Sequence, residues 1–315
     1  HEKRCLFLTY NVALAADLQR LLSLMNIPSS SEEGGVDVRT VMSFTYSWLH
    51  KLGVTKSDEI SEFENYEKQC EELKKYFDEG VLGQNDIKNV KEENSEQFQY
   101  DAILVDEAQD WPQGEADVLM KLYGEEKVSL ADGMSQLIRG SRTNWKPAIS
   151  ENLPEVKKAF HECLRMKKNL GIFANAVAER ADLNWKIQPN SQAAGGRVII
   201  CTRPFHQLPD LHDELLEKSA KVGNSPIDSL YCVAPSSIRT VGNRTCSELS
   251  TTLKKAGHNV WDGTDPELRR DFPRSQNDHR IIQYDSCRGL EGWTVVLDAF
   301  DEFWSLKYDL ALSQG

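Results

Sequence analysis

The sequence lacks any long apolar run. No stretch approaches the roughly 20 apolar residues that a membrane-spanning helix needs. The opening residues His1-Glu2-Lys3-Arg4 do not begin a signal-peptide pattern, in which a basic start is followed by an apolar segment and a cleavage site. We therefore expect a cytoplasmic protein.

Closely spaced cysteines and an excess of basic charge are also missing. The seven cysteines are scattered without a C-x-x-C pair, so they indicate neither a zinc site nor a disulfide framework. The formal net charge is −12, whereas a passive nucleic-acid coat protein needs positive charge to neutralise phosphates. A motor with a local basic channel remains compatible with this charge.

The composition is that of a folded domain. The apolar fraction of 40% with 27% charged residues is typical of a globular protein, and 315 residues suffice for one large or two medium cores. Strand and helix patterns alternate along the chain, which predicts an α/β fold with parallel sheets. The expected helices cover about 11–25, 43–49, 58–78, 114–122, 208–220 and 244–256, and the expected strands cover 36–42, 102–105, 128–131, 197–202, 229–234, 279–284 and 294–299.

The most informative stretch is Tyr100–Trp111, Y-D-A-I-L-V-D-E-A-Q-D-W. Its apolar run 102–105 has no polar alternation, which is typical of a strand buried on both faces of a parallel sheet. Asp106 and Glu107 follow at the carboxyl end, so we interpret them as a Walker B element. Asp106 would hold hydrated Mg²⁺, and Glu107 would orient and deprotonate a water. The alternative is an ordinary strand followed by an acidic helix start.

The string D-E-A-Q-D at 106–110 resembles motif II of superfamily 1 helicases of the UvrD/Rep type. Further strings resemble motifs of this family and occur in its order. They are L-F-L-T-Y-N-V-A-L-A at 6–15 (motif Ia), T-V-M-S-F at 40–44, D-G-M-S-Q at 132–136 (motif III), C-L-R-M-K-K-N-L at 163–170 (motif IV) and D-S-C-R-G-L-E-G-W at 285–293 (motif V).

The resemblance implies a site for ATP and Mg²⁺. The catalytic residues that it implies are Asp106, which also binds the metal, Glu107, Gln109, Gln136 and Arg165. The cofactor-binding residues that it implies are Asp132, Arg288, Gly289 and Glu291. Gln136 would sense the γ-phosphate, and Arg165 would reach that phosphate across a cleft, although an arginine in such a basic helix start is more often a surface charge.

The resemblance also implies single-stranded DNA, or a junction of single and double strands, as the partner. Asn11, Thr40 and Ser43 match positions that contact the DNA, and Tyr10 stands where the family usually has threonine. Tyr10 offers a stacking surface for a base, and a role as a core aromatic is about as compatible with the sequence. The helix expected at 11–25 would be capped by Asn11.

The family fold consists of two RecA-like P-loop NTPase domains with parallel sheets. Here the first would cover 1–160, incomplete at its N-terminus and with a small helical insertion at about 55–97, and the second would cover 161–315. The sequence contains neither G-x-x-x-x-G-K-[ST] nor the arginine motif VI. We therefore expect a truncated helicase, and the segment alone should hydrolyse little or no ATP.

The function implied is ATP-dependent movement on single-stranded DNA with duplex unwinding, in the 3′ to 5′ direction. Two alternatives stay open. One is a non-catalytic helicase-derived module for binding nucleic acid or protein, and the other is a DNA-stimulated ATPase that does not unwind.

Overall fold

The computed structural model describes residues 3–29, 34–55, 65–133, 142–145, 162–183, 186–273 and 275–314. They form a larger unit, drawn from 1–133, 137–148 and 203–315, and a smaller unit, drawn from 134–136 and 149–202. The predicted α/β class with parallel sheets is confirmed. Among the described residues, no helix combines the length and apolar character that crossing a bilayer requires.

The first sheet of the larger unit is fully parallel, with strand order β2-β1-β3-β4. Its strands are β1 (Arg4–Thr9), β2 (Gly35–Thr40), β3 (Ala102–Val105) and β4 (Val128–Leu130). Thr9 pairs with Thr40, and Val105 pairs with both Leu8 and Leu130. This register brings the carboxyl ends of all four strands to one edge.

Six helices connect and cover these strands. They are α1 (Val12–Leu24), α2 (Val41–Lys51), α3 (Tyr66–Asp78), α4 (Gln84–Glu93), α5 (Ser95–Phe98) and α6 (Gln113–Tyr123). Phe44 and Trp48 of α2 pack with Phe98 and Tyr123 in a buried aromatic cluster. The helical insertion predicted at 55–97 thus contains α3, α4 and α5, and residues 56–64 of it lie outside the described part.

The second sheet of the larger unit is also fully parallel, with strand order β10-β11-β7-β12. Its elements, with the hairpin β8-β9, are α8 (Pro209–Ala220), β7 (Ser229–Val233), β8 (Ile238–Val241), β9 (Arg244–Ser247), α9 (Glu248–Lys255), β10 (Val260–Asp262), β11 (His279–Gln283), β12 (Thr294–Leu297) and α10 (Phe300–Gln314). Ala13 of α1 packs into the core of this sheet with Leu230 and Ile282. Helix α1 therefore links the two sheets.

The smaller unit contains the parallel strand pair β5 (Glu162–Cys163) and β6 (Gln188–Pro189), together with α7 (Lys168–Arg180). The strand predicted at 197–202 is wrong, because these residues have no regular structure and Ile200 is 81% exposed. A partner strand that would bury their apolar side chains is not seen among the described residues. The predicted domain limits, 1–160 and 161–315, stay predictions.

Three further sequence predictions need correction. The helix expected over 244–256 begins only at Glu248, because Arg244–Ser247 pairs antiparallel with β8 and Ser247 caps α9. Burial of β3 on both faces is also wrong, since Leu104 is 39% exposed although Ile103 and Val105 are buried. In the predicted buried run at 294–299, Val295 and Leu297 are half exposed because β12 is an edge strand that pairs only with β7.

Candidate functional site

The candidate site lies at the carboxyl edge of the first sheet, between β1 and β3. The chain leaves β1 toward β2 on one side and later crosses to β3 on the other, so the strand order reverses between β1 and β3. Open parallel sheets place ligand chemistry outside the carboxyl ends of the strands at such a reversal. Here β1 ends at Thr9, and β3 is followed directly by Asp106 and Glu107.

Glu107 has an unusual backbone conformation. Its φ of +49° and ψ of 45° lie in the left-handed region, which costs a residue other than glycine on the order of 1–3 kcal/mol. Two hydrogen bonds hold this turn: the amide of Ala108 donates to Ala131 O at 2.8 Å, and the amide of Asp110 donates to Glu107 O at 3.0 Å. Strain of this kind is often found at functional sites.

Arg288 joins the second sheet to this turn. It follows the carboxyl end of β11, and its Nη2 donates to Glu107 Oε2 at 2.7 Å while Nη1 donates to Asp110 Oδ2 at 2.6 Å. The side chains of Arg288 and Glu107 are about a quarter exposed and that of Asp110 is 5% exposed. Burial opposes the charge on Arg288, but Asp110 and Glu107 together outweigh burial and raise the pKa of its guanidinium.

Gln109 fixes the same carboxylate from the other side. Its Nε2 donates to Glu107 Oε2 at 2.7 Å, and its Oε1 accepts from the amide of Gly133 at 2.9 Å. The backbone of this turn is held as well, because Thr143 Oγ1 donates to Gln109 O at 3.1 Å and the indole of Trp145 donates to Ala108 O at 2.8 Å. Glu107 Oε2 therefore accepts two hydrogen bonds, from a cation and from an amide.

The two aspartates at this edge have different surroundings. Asp106 is half-buried, and its Oδ2 accepts from Thr9 Oγ1 at 3.4 Å. Asp132 follows β4, is exposed, and forms an ion pair with Arg142. Asp106 and Thr9 together supply hard oxygen atoms, the donor type that Mg²⁺ prefers.

Asn11 links α1 to the loop that carries Arg288. As predicted, it caps α1: its Oδ1 accepts from the amides of Ala13 at 2.9 Å and Leu14 at 3.3 Å. Its Nδ2 donates to Ser286 O at 3.0 Å and also to Arg288 O. The Asn11 side chain thus accepts hydrogen bonds from the first amides of α1 and also fixes the backbone next to Arg288.

Two substitutions separate these roles of Asn11. Asn11→Ala should destabilise the protein by about 1–2 kcal/mol, because it removes both the cap and the bridging donors. Asn11→Asp keeps an acceptor for the helix amides and loses only the donors, so its loss should be smaller. Urea unfolding of both variants measures the difference; wild-type stability of Asn11→Asp would contradict the bridging role, and equal losses in the two variants would contradict the capping role.

The predicted DNA contacts have structural partners in the protein. The ring of Tyr10 lies edge-on to Trp111 with centroids 5.6 Å apart, and its hydroxyl donates to the buried Glu115. These contacts support the alternative of a packing role for Tyr10. Thr40 caps α2 by accepting from the amide of Ser43 at 3.4 Å, and Ser43 is exposed. A DNA-binding role of these residues stays a prediction.

Gly289 permits a close approach in the loop that follows β11. Its φ is +79°, and a Cβ there would lie 2.7 Å from Leu14 Cδ2 of α1. Gly289 lies in a turn that leads into β12. Glu291 has an exposed side chain, and its carbonyl accepts from Arg280 Nη2 at 2.6 Å.

Two predicted catalytic residues are not placed at this edge by the structure. Gln136 lies outside the described residues. Arg165 is an exposed residue of the smaller unit, just before α7. Their proposed phosphate contacts stay predictions.

Sequence reasoning missed the double ion pair of Arg288 and the anchoring of the turn by Thr143 and Trp145. The arginine was expected beside a nucleotide and not beside Glu107 and Asp110. A signal was present in the strings themselves, since the acidic D-E-A-Q-D and the arginine of R-G-L-E both follow strands of parallel sheets. No protein-family model matches the chain, and no curated protein shows a significant match.

Proposed function

We propose that the chain forms part of the motor core of an ATP-dependent DNA helicase or translocase of the superfamily 1 type. One observation carries the proposal: the string resembling motif II and the string resembling motif V meet through the Glu107–Arg288 ion pair. The two strings are far apart in the sequence and come from different sheets. Their meeting at the carboxyl edge of a parallel sheet supports a shared nucleotide site.

In this proposal the two four-stranded parallel sheets belong to two RecA-like domains. The parallel pairing of every strand in both sheets supports this assignment. The first domain would cover 1–160 and the second 161–315. ATP would bind between them, and alternating closure and opening of the cleft would move single-stranded DNA along the domains.

The donor set at the first sheet fits Mg²⁺ and ATP. Asp106 would hold the metal with Thr9 beside it, and when bound the ion would neutralise phosphate charge. Glu107 Oε2 is already bonded to Gln109 and Arg288, so Oε1 would take the proton of an attacking water. Arg288 would couple the position of this carboxylate to the second sheet, while Gln136 and Arg165 would contact the γ-phosphate.

The decisive experiment measures DNA-stimulated ATP hydrolysis by the full-length protein and its Glu107→Gln variant. Glutamine keeps the size of the side chain but cannot accept the proton, so turnover should fall about 10²–10⁴-fold with little change in DNA affinity. Glu92→Gln, in an exposed helical pair with Lys88, is the matched control and should be unchanged. Wild-type turnover by Glu107→Gln would refute the proposal.

Strand displacement separates a helicase from a translocating ATPase. Unwinding of a duplex with a 3′ single-stranded tail, but not of one with a 5′ tail, is expected from the resemblance. ATP hydrolysis without displacement of either substrate would assign the non-unwinding ATPase.

A non-catalytic module is the second candidate, and the same ion pair favours it. Arg288 neutralises Glu107 and Asp110, which is also what a purely structural scaffold would do with carboxylates that no longer serve a nucleotide. Full-length protein that binds single-stranded DNA without any ATP turnover, in wild type as in Glu107→Gln, would establish this candidate.

A further inference from the structure

Three histidines from separate elements meet beside the second sheet. His212 lies on α8, His258 follows α9, and His279 is the first residue of β11. The ring centroid of His212 lies 4.7 Å from that of His258 and 5.3 Å from that of His279. The centroids of His258 and His279 lie 5.0 Å apart. The cluster adjoins the amino end of β11, whereas Arg288 follows the carboxyl end of that strand.

An exposed carboxylate completes a possible ligand set. Each of His212, Asp213 and His258 offers one ligand atom, and these three atoms lie within 4.8 Å of one another. Among the described residues, this is the one group of His, Cys, Asp or Glu side chains close enough together to hold a metal ion. His212 Nε2 lies 3.1 Å from the hydroxyl of Tyr231, and its Nδ1 lies 3.7 Å from Asp213 Oδ1. If Nε2 carries the proton and donates it to Tyr231, Nδ1 keeps a lone pair on the side of the carboxylate.

His279 supplies a second, independent observation. The residue is 2% exposed, its Nδ1 lies 2.9 Å from Asn259 O, and its Nε2 is buried with no hydrogen-bond partner in the described part of the chain. A buried polar atom without a partner is costly and calls for an explanation such as an absent water or ion. A water bound to a metal in this cluster is one group that could satisfy it.

We propose that His212, Asp213 and His258 bind a divalent transition-metal ion of the zinc type. Two imidazole nitrogens and one carboxylate oxygen are ligands that zinc accepts, with a water in the fourth position. The ion would join α8 to the turn after α9.

To bind zinc, the three ligand atoms need to move only slightly closer to one another. Ligand atoms of a tetrahedral zinc site lie about 3.3 Å apart, given metal–nitrogen distances of roughly 2.0–2.1 Å. Asp213 is exposed and His258 is half-buried next to Gly257, whose φ is +88°, so two of the three ligands can move toward the fixed His212.

The test is metal binding by the chelator-treated, dialysed protein. Zn²⁺ titration calorimetry should give one site per chain, and Co²⁺ should show visible absorption bands of a nitrogen and oxygen site without a thiolate charge-transfer band. His258→Gln and Asp213→Asn should each weaken Zn²⁺ binding at least about tenfold. Loss of a residue that only supports a metal ligand already weakens metal affinity by about 10–100-fold, so loss of a ligand should cost at least as much. His212 is left intact because its buried ring also packs on Phe205 and Tyr231.

His50→Gln is the matched control, since His50 lies on α2 in the first part of the chain. It should bind Zn²⁺ like the wild type. Absence of a stoichiometric site in the wild type would overturn the proposal. Retention of wild-type affinity by either His258→Gln or Asp213→Asn would overturn it as well.

Discussion

Replacing Arg288 by alanine is expected to destabilise the protein by about 3 kcal/mol. The change removes the guanidinium that pairs with the carboxylate of Asp110, which is 5% exposed, and it removes one of two donors from Glu107. Removing one partner of a buried ion pair costs about 3–5 kcal/mol, because the remaining charge stays buried without compensation. The partial exposure of Arg288 places the expected loss at the lower end of that range.

Urea unfolding of Arg288→Ala, Asp110→Asn and the double variant measures this effect. The double variant should lose less than the sum of the single losses, because neutralising Asp110 removes the charge that Arg288 compensates. Arg142→Ala is the control, since Arg142 pairs with Asp132 at an exposed position. Exposed pairs contribute about 0–1 kcal/mol, so equal losses in Arg288→Ala and Arg142→Ala would contradict the prediction.

Features that local chemistry specifies could be predicted from the sequence. Asn11 is a good N-cap followed by an apolar stripe, and α1 begins where expected. The run at 102–105 is wholly apolar and those at 229–234 and 279–284 have apolar centres, and each contains a strand of a parallel sheet. Asp106 and Glu107 were placed at the end of a strand, and that placement is confirmed.

Features that depend on distant residues could not be predicted. The ion pairs of Arg288 join residues separated by 178 and 181 positions, and no local pattern encodes such a distance. The left-handed backbone of Glu107 is stabilised by hydrogen bonds that include one to the end of β4. Cysteine spacing gave no indication of a metal site, whereas the histidine cluster is assembled from α8, the turn after α9 and β11.

Burial was also misjudged where it depends on neighbours. The apolar residues Val198 and Ile200 favoured a strand, yet both are exposed because no described strand pairs with them. Apolar character predicts a preference for burial, but sheet pairing decides whether a segment is buried. Leu104 is partly exposed although β3 is paired on both sides, because side chains alternate along a strand and Leu104 lies on the face opposite to Ile103 and Val105.

Replacing Trp48 by alanine is expected to destabilise the protein by about 3–5 kcal/mol, because it opens a large cavity in the aromatic cluster under the first sheet. Trp48 is fully buried, with its ring centroid 4.4 Å from that of Phe98 and 5.9 Å from that of Tyr123.

Trp293→Ala is the control, since Trp293 is 55% exposed and a surface change of this kind costs about 0.5 kcal/mol or less. Urea unfolding of both variants is the measurement, and losses within about 1 kcal/mol of each other would contradict the prediction. Phe98 closes the segment that leads through Tyr100 into β3, so loss of Trp48 should also loosen the strand that presents Asp106 and Glu107.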